Sequence, residues 1–247
     1  MNKFQFDTHV HLDLYNDSEN IIKHINELKS YTIAVTNLPI LYDKSRKNLP
    51  DTKYIRFALG LHPELIHEFP SQVTEFFSKL KKVRYVGEIG LDFSKEYTSY
   101  KIIQIEFFKR CIAECHHIGN KILSIHSRKA TKEVIDIIGP EFNGKVILHW
   151  FTGNQFDTKR AINNGYYFSI NNEMIKSIGG RKIIALIPLN RILLESDGPF
   201  TKTFKNKYDI NFFDDLIVSI SRLKQCKIED LYEILRNNFK TLLQTDD

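Results

Sequence analysis

The sequence has little cysteine and lacks any long apolar run. Three cysteines occur in 247 residues, and this odd number argues against a disulfide framework and for a reducing compartment. No uninterrupted apolar segment approaches the ~20 residues that a membrane helix needs. The first fifteen residues carry acids and histidines where a signal peptide would have its apolar region. The sequence therefore predicts a cytoplasmic protein that does not contact a membrane.

The sequence also lacks a glycine-rich phosphate loop after its first strand, low-complexity segments and internal repeats. What it contains is eight short runs of β-branched, aromatic and aliphatic residues, separated by segments with helical spacing. The runs are KFQFDTHV, YTIAVTN, KYIRFAL, VRYVGEI, NKILSIH, KVILHW, GYYFSI and RILLES. Eight alternations of strand and helix predict an α/β fold, a single (β/α)8 TIM barrel over residues 1–247.

Two of the intervening segments show the helical pattern clearly. Residues 18–29 place Ile21, Ile22, Ile25 and Leu28 on one stripe, and residues 98–118 repeat such a stripe. Gly119 and Gly165 follow at positions where we expect helices to end.

The stretch DTHVHLD, residues 7–13, is unusually polar for a strand. A period of two places Asp7, His9 and His11 on one side of the strand, so both imidazoles point the same way. Histidines in strands also form ordinary hydrogen bonds. This stretch alone therefore leaves a metal site and a polar strand as alternatives.

The later strands strengthen the metal hypothesis. Imidazole or carboxylate residues stand at the carboxyl ends of most of them: His62, Glu88, Asp92, His126, His149 and Asp197. In a β/α barrel these ends converge on one mouth, where active sites of this fold are built. The set contains no thiolate, which argues against a closed structural zinc site and favours Zn, Mn, Fe or Mg with open positions. Its size predicts two divalent ions, with the Glu88 carboxylate as a bridge between them.

The motifs together resemble the TatD-like metal-dependent deoxyribonucleases, a branch of the amidohydrolase-like barrel enzymes. The resemblance covers nearly the whole chain and rests on DTHVHLD, GLHP, GEIGLD, IHSR, HWFTG and ESDGPF, with RNNFKTLL near the end similar to the closing helix of that family. It implies that His9, His11, Glu88 and Asp197 hold one ion, and that Glu88, His126 and His149 hold the other. The activity that it implies is DNA hydrolysis, as a 3′–5′ exonuclease that prefers single strands.

Further roles follow from this hypothesis. Asp197, together with Glu88, would be catalytic, because a carboxylate at the metal centre can orient and deprotonate the attacking water. The resemblance implies that His62 and Arg128 contact the substrate phosphate. The indole of Trp150, with Phe151 and Phe200, is a candidate stacking surface for an unpaired base. Asp7 and Asp92 are expected to support the ligands through hydrogen bonds.

The chain departs from the usual family pattern at Trp150, at Gly198–Pro199–Phe200 and in the stretch TKTFKNKYDIN. These departures concern the substrate and leave the ligands intact. The motifs ALGLHP, LSIHSR, LHWFTG and ESDGPF resemble those of the TatD-like members of Qat anti-phage systems. This resemblance implies protein partners of such a system. The net charge of +5 and basic groups near residues 44–47, 79–84 and 202–207 fit a polyanionic partner, and equally fit solvated helix faces.

Two other functions remain open on the sequence alone. One is a hydrolase or deaminase for a small cyclic amide or a modified nucleobase. Many such relatives carry a carbamylated lysine on the fourth strand, whereas here that strand brings Glu88, with Lys95 the nearest following lysine. The other is a nucleic-acid-binding subunit of a defence complex, docked through residues 201–211.

The cluster CIAECHH, residues 111–117, has the composition of a second zinc site. Cys111 and Cys115 lie four apart on a predicted helix face with apolar neighbours. Two buried thiols are therefore the better prediction.

Overall fold

A computed structural model describes residues 4–49, 52–205 and 207–244. Lys3 and Asn206, which belong to two of the stretches discussed above, lie outside the described residues. Eight strands are present in the described ranges: β1 Phe6–Val10, β2 Tyr31–Ala34, β3 Ile55–Phe57, β4 Tyr85–Gly90, β5 Lys121–His126, β6 Gly144–His149, β7 Tyr167–Ile170 and β8 Ile192–Leu194. Each lies within one of the eight predicted runs, except that β4 ends one residue after its run, at Gly90, and β6 begins one residue before its run, at Gly144.

Helices alternate with these strands. They are α1 Ser18–Leu28, α2 Pro39–Asn48, α3 Ser71–Leu80, α4 Lys101–Ile118, α5 Thr131–Ile138, α6 Gln155–Asn163, α7 Asn172–Lys176, α8 Ile178–Leu186, α9 Phe212–Lys224 and α10 Ile228–Leu243. Short 3-10 helices cover Leu12–Leu14, Pro63–Leu65, Lys95–Tyr100, Leu189–Arg191 and Lys202–Phe204. No helix in the described ranges is both long and apolar enough to cross a membrane.

The strands are parallel and follow one another in chain order, as β1-β2-β3 and as β4-β5-β6-β7-β8. Backbone hydrogen bonds connect the two sets. Between β3 and β4, Leu59 N–H donates to the Tyr85 carbonyl at 3.0 Å and Gly87 N–H donates to the Leu59 carbonyl at 2.9 Å. Past the end of β8, Asp197 N–H donates to the His9 carbonyl at 2.9 Å. The arrangement is that of a β/α barrel, which confirms the predicted fold class.

The helix boundaries follow from the sequence pattern. Helix α1 buries Ile22 and Ile25 of its predicted stripe against the barrel. Helix α4 begins at Lys101, because residues 95–100 form a 3-10 helix, and so the predicted start at residue 98 is three residues early. Gly119 and Gly165 follow their helices with φ of 75° and 78°, a left-handed region that glycine enters without a Cβ clash.

An aromatic cluster closes the end of the barrel where β1 and β2 begin. Phe6 of β1 stacks on Phe239 of α10 with ring centroids 4.6 Å apart, and Phe213 of α9 meets Phe6 edge-on at 5.1 Å. Phe4 and Tyr31 also lie within 6 Å of Phe239. Helices α9 and α10 are thereby held against the amino-terminal ends of the strands.

Candidate metal centre

The predicted polar residues meet at the carboxyl ends of the strands. His9 lies in β1 and Glu88 in β4, His126 and His149 are the last residues of β5 and β6, and His11 and Asp197 lie just beyond β1 and β8. All but His126 are at least nine-tenths buried. Parallel strands deliver side chains to the same end of a barrel, so residues that are distant in sequence become neighbours here.

The carboxylate of Glu88 occupies the middle of this cluster. Its Oε1 lies 2.7 Å from His126 Nδ1, 2.8 Å from His149 Nε2 and 3.4 Å from His62 Nε2. Its Oε2 lies 3.3 Å from His11 Nε2 and 3.5 Å from His9 Nε2. One buried carboxylate thus faces five imidazoles.

Three sets of ligand atoms in the described residues are close enough to hold a cation. They are His9, His11 and Asp197; His9, Glu88 and His149; and His62, Glu88 and His126, each set with its atoms within 4.8 Å of one another. Asp197 Oδ1 lies 3.6 Å from His9 Nε2. The structure thus brings together all six residues predicted as ligands and adds His62, which the sequence placed with the substrate.

The donor chemistry fits divalent metal ions. The Nε2 atoms of His9 and His11 lie 3.2 Å apart and point into the same space, and both rings are buried. His11 Nδ1 is buried without a hydrogen-bond partner among the described residues. Imidazole nitrogens and carboxylate oxygens without thiolates suit Zn, Mn or Mg. A cation bound between these buried imidazole nitrogens and carboxylate oxygens would compensate the negative charge of the carboxylates.

Hydrogen bonds orient several of these side chains. Asp92 Oδ2 lies 2.8 Å from His126 Nε2, which leaves His126 Nδ1 turned toward Glu88. Ser124 Oγ lies 2.8 Å from His9 Nδ1 and leaves Nε2 for a cation. Partners of this kind set the orientation and tautomer of metal-ligating histidines.

Asp7 supports the cluster through the backbone. Its Oδ1 accepts from the N–H groups of His9 at 3.1 Å and Ser196 at 3.0 Å, and its Oδ2 accepts from the Tyr208 hydroxyl at 3.0 Å. The carboxylate thereby ties β1 to the residue before Asp197. Side-chain contact with a ligand, as the strand pattern suggested, is replaced by contact with the ligands' backbone.

Glu195 is a site residue that the sequence analysis did not single out. This carboxylate is fully buried, accepts from Trp150 N–H at 3.0 Å and from Asn171 Nδ2 at 2.9 Å, and lies 3.6 Å from His149 Nδ1. It occupies the position of an orienting partner for His149. The available signal was the period of two in ESD, which places Glu195 on the same side as Asp197.

The surroundings shift the pKa values of Glu88 and Asp197 in opposite directions. Burial disfavours a charge on Glu88, but the neighbouring His149 and His62 lower its pKa well below the usual value. Burial raises the pKa of Asp197, and the nearby charges of Glu195 and Glu88 add to the effect. Glu88 therefore stays an anion, whereas Asp197 has the higher affinity for a proton.

The two imidazoles that contact Glu88 Oε1 most closely are basic. Burial disfavours the charged rings, but hydrogen bonds that the His126 ring donates to Asp92 and Glu88 raise its pKa to about 9. The Glu88 and Glu195 carboxylates raise the pKa of His149 well above its usual range in spite of burial. The neighbouring carboxylates therefore favour the protonated form of both rings.

The predicted substrate contacts lie at the mouth with different exposure. Arg128 is exposed, and Trp150 is half-buried beside a 400 Å³ cavity that Met174 and Ile183 also line. Phe200 is 57% exposed and meets His11 edge-on at 4.9 Å. Phe151, expected beside Trp150 at the stacking surface, is instead fully buried against Phe168. Trp150, with a left-handed backbone at φ of 36°, lies between His149 at the end of β6 and this buried ring.

The cysteine cluster of helix α4 lies away from this centre. Cys111 and Cys115 are fully buried in the core, as predicted, and burial raises the pKa of the Cys111 thiol. None of the metal-competent sets found among the described residues includes them.

Comparison with known proteins assigns the family. The model of the family described as TatD related DNase matches residues 6–244. The chain belongs to this TatD-related family. It is therefore a metal-dependent hydrolase, as the motifs predicted.

Two curated relatives show the similarity in sequence, and one solved structure shows the similarity in fold. The uncharacterized metal-dependent hydrolase YabD of Bacillus subtilis is 28% identical, with 97% of this chain and 98% of YabD covered. Deoxyribonuclease TATDN3 of Homo sapiens is 28% identical over 62% of this chain and 57% of its own length. The crystal structure of YjjV, a TatD homologue from Escherichia coli, superimposes with a TM-score of 0.78 at 19% identity over 98% of both chains.

Proposed function

We propose that this chain hydrolyses phosphodiester bonds of DNA with the help of two divalent ions. The observation that carries the proposal is the Glu88 carboxylate, buried among five imidazoles and adjoining Asp197 through the shared histidines. In the proposed assignment, His9, His11, Glu88 and Asp197 hold one ion, and Glu88, His126 and His149 hold the other. Bound ions of this kind polarise a phosphoryl oxygen, lower the pKa of a bound water and stabilise the leaving oxygen.

Side chains of the protein would accept the proton of the attacking water and bind the substrate phosphate. Asp197 has a raised pKa because of burial, so it is suited to accept the proton of the attacking water. His62, whose Nδ1 accepts from Glu64 N–H at 3.3 Å, holds its Nε2 toward the centre, where it can contact a substrate phosphate or an ion. Arg128, exposed beyond His126, is placed to bind a phosphate through its planar fork.

The rim of the mouth favours a single strand. Eleven large apolar side chains are exposed in the described residues, and nine of them lie in a connection that leaves the carboxyl end of a strand or in the first turn of a helix that follows, with Ile178 in α8, the second helix after β7. These nine are Leu14, Ile40, Phe69, Tyr100, Ile102, Ile103, Phe156, Ile178 and Phe200. Unpaired bases offer faces that such side chains can contact, whereas a duplex turns its phosphates outward.

An amidohydrolase acting on a small amide is the alternative that the site favours less. Lys121 is the buried lysine of the described residues, and its Nζ donates to the Leu80 carbonyl at 2.7 Å, at the end of the barrel opposite the mouth. Glu88 occupies the strand position from which a carbamylated lysine would bridge two ions.

The proposed setting is a cytoplasmic protein of one barrel domain, residues 1–247, with partners of a Qat-type anti-phage system. The scarcity of cysteine and the similarity of ALGLHP, LSIHSR and ESDGPF to such members support this part of the proposal. Co-purification of the tagged chain with its genomic neighbours tests it independently of the chemistry.

Cleavage of end-labelled DNA tests the activity. We expect metal-dependent shortening of single-stranded DNA from the 3′ end, with less cleavage of duplex DNA and RNA of the same sequence. Labels at the 5′ or 3′ end distinguish the polarity, and an Asp197→Asn variant is the control for a contaminating nuclease. Metal-loaded protein that cleaves none of these polymers but hydrolyses a cyclic amide would establish the alternative.

A further inference from the structure

We propose that the cavity between helix α1 and residues 201–211 binds a nucleotide of the substrate strand that neighbours the scissile bond. The cavity has a volume of about 610 Å³, within the range of pockets that hold small ligands. Its lining includes Leu14, Ile21, His24, Lys205, Lys207 and Tyr208. The inference rests on the proposed nuclease function and adds a second binding site to it.

The topology places this cavity on the same end of the barrel as the metal centre. One wall is the connection from β1 to α1 with the first turns of α1, and the other is the connection from β8 to α9. Both connections leave the carboxyl ends of their strands, where His11 and Asp197 also lie. Phe200, exposed and edge-on to His11, stands between the centre and residues 201–211 in the chain.

The two sides of the cavity differ in chemistry. Lys205 and Lys207, on the wall formed by the β8–α9 connection, present cationic groups, while Leu14 and Ile21, on the opposite wall with His24, offer apolar surface. A nucleotide has the same division, with an anionic phosphate and a base with two apolar faces. The cavity thus matches one nucleotide better than it matches a free inorganic anion.

The acids in the lining are already engaged. Asp17 Oδ1 accepts from Asn20 Nδ2 at 2.6 Å, and Asp209 Oδ1 accepts from Asn211 N–H at 2.9 Å. Lys205 and Lys207 form no ion pair within the described part of the chain. Their charges are therefore available to a phosphate.

Two tyrosines that line the cavity, Tyr15 and Tyr208, also contact residues next to the metal centre. The Tyr208 hydroxyl donates to Asp7, whose other oxygen accepts from His9 N–H. The Tyr15 hydroxyl lies so close to Gly198 that a Cβ there would meet it at 2.1 Å. A strand whose phosphate lies at the centre therefore has its adjoining nucleotide within reach of the cavity.

A charge reversal tests the site. We expect K205E/K207E to weaken binding of a short single-stranded oligonucleotide at least tenfold by fluorescence anisotropy. The slope of log affinity against log salt should become shallower by about 1.4 if both phosphate contacts are lost, at about 0.7 per contact for a single strand. The control, K81E/K82E, changes the net charge equally at two exposed lysines after α3, at the opposite end of the barrel.

The outcomes separate this inference from the function on which it rests. Equal losses in the two variants would show a general charge effect and overturn the nucleotide site, while cleavage by the unchanged protein would leave the nuclease function intact. A selective loss in K205E/K207E, in a protein that cleaves no DNA, would contradict the nuclease and, with it, the assignment of the cavity to a nucleotide beside a scissile bond. If the unchanged protein binds no oligonucleotide, both proposals are wrong.

Discussion

The two ends of the barrel differ in the partners of their buried polar groups. At the mouth, the Glu88 carboxylate faces five imidazoles, and Asp197 and Glu195 are buried close by. At the other end, Lys121 donates to the Leu80 carbonyl at 2.7 Å. Asn238 of α10 donates to the carbonyls of Leu189 and Ile192, both at 2.8 Å. Polar groups there satisfy the backbone, and an aromatic cluster fills the remaining space.

This difference indicates that the mouth serves catalysis and that the opposite end contributes most to the stability of the fold. Buried charges that face one another cost free energy unless they are neutralised, so the mouth is held in place by the rest of the barrel. The opposite end buries apolar area with satisfied hydrogen bonds, which stabilises the fold directly. Substitutions at the two ends should therefore affect different measurements.

The largest expected effect is on turnover at the mouth. Replacing Asp197 by Asn should lower kcat on single-stranded DNA by about 10²- to 10⁴-fold, the usual contribution of a positioned proton acceptor. The melting temperature without metal should not fall, because the variant loses a buried carboxylate near Glu88 and Glu195. Calorimetry and a steady-state assay on one preparation measure both. If the Asp197→Asn variant unfolds, the claim that residues at the mouth affect turnover and not stability is contradicted.

At the opposite end, Phe239→Ala should lower the free energy of unfolding by about 3–5 kcal/mol, since the ring is buried among Phe4, Phe6 and Tyr31. Activity per folded molecule should stay unchanged. Phe156→Ala removes a ring that is 70% exposed and should change the stability by less than about 0.5 kcal/mol. Urea unfolding followed by tryptophan fluorescence gives the comparison. Equal losses in the two variants would show that the aromatic cluster is unimportant.

A smaller effect is expected for Glu195, which lies beside His149 without joining any of the candidate ligand sets. Glu195→Gln should weaken metal binding by about 10- to 100-fold, because partners of ligating histidines contribute to affinity to that extent. Isothermal titration with Mn or Zn provides the measurement, and the exposed Glu233→Gln is the matched control. Unchanged affinity would mean that His149 needs no orienting carboxylate.

An effect of similar size to that of Glu195 is expected for Trp150 at the rim. Trp150→Ala should reduce affinity for single-stranded DNA by about 1–3 kcal/mol if a base stacks on the indole. Trp150→Phe keeps an aromatic face and should retain most of the affinity. Anisotropy with a fluorescent oligonucleotide distinguishes the two. Preserved binding in the alanine variant would assign Trp150 to packing around the adjoining cavity.

The fold and most of the metal centre were predictable, because both depend on periodic patterns. The runs gave the eight strands, and a polar residue at the end of a parallel strand must point into the mouth. Glu195 escaped prediction because nothing local distinguishes a buried acid that supports a ligand from one that is a ligand. Phe151 was assigned wrongly because its place beside Trp150 in the sequence does not show that the ring packs inward, where it meets Phe168.

Titration of the metal-free protein with Mn, with bound metal and cleavage of single-stranded DNA followed together, tests the central claim most directly. The account predicts two ions per chain and full activity only when both are bound. It also predicts that Glu88→Gln, which weakens the shared ligand, binds fewer than two ions and loses cleavage. Full cleavage with one ion per chain, or in the presence of excess chelator, would contradict it.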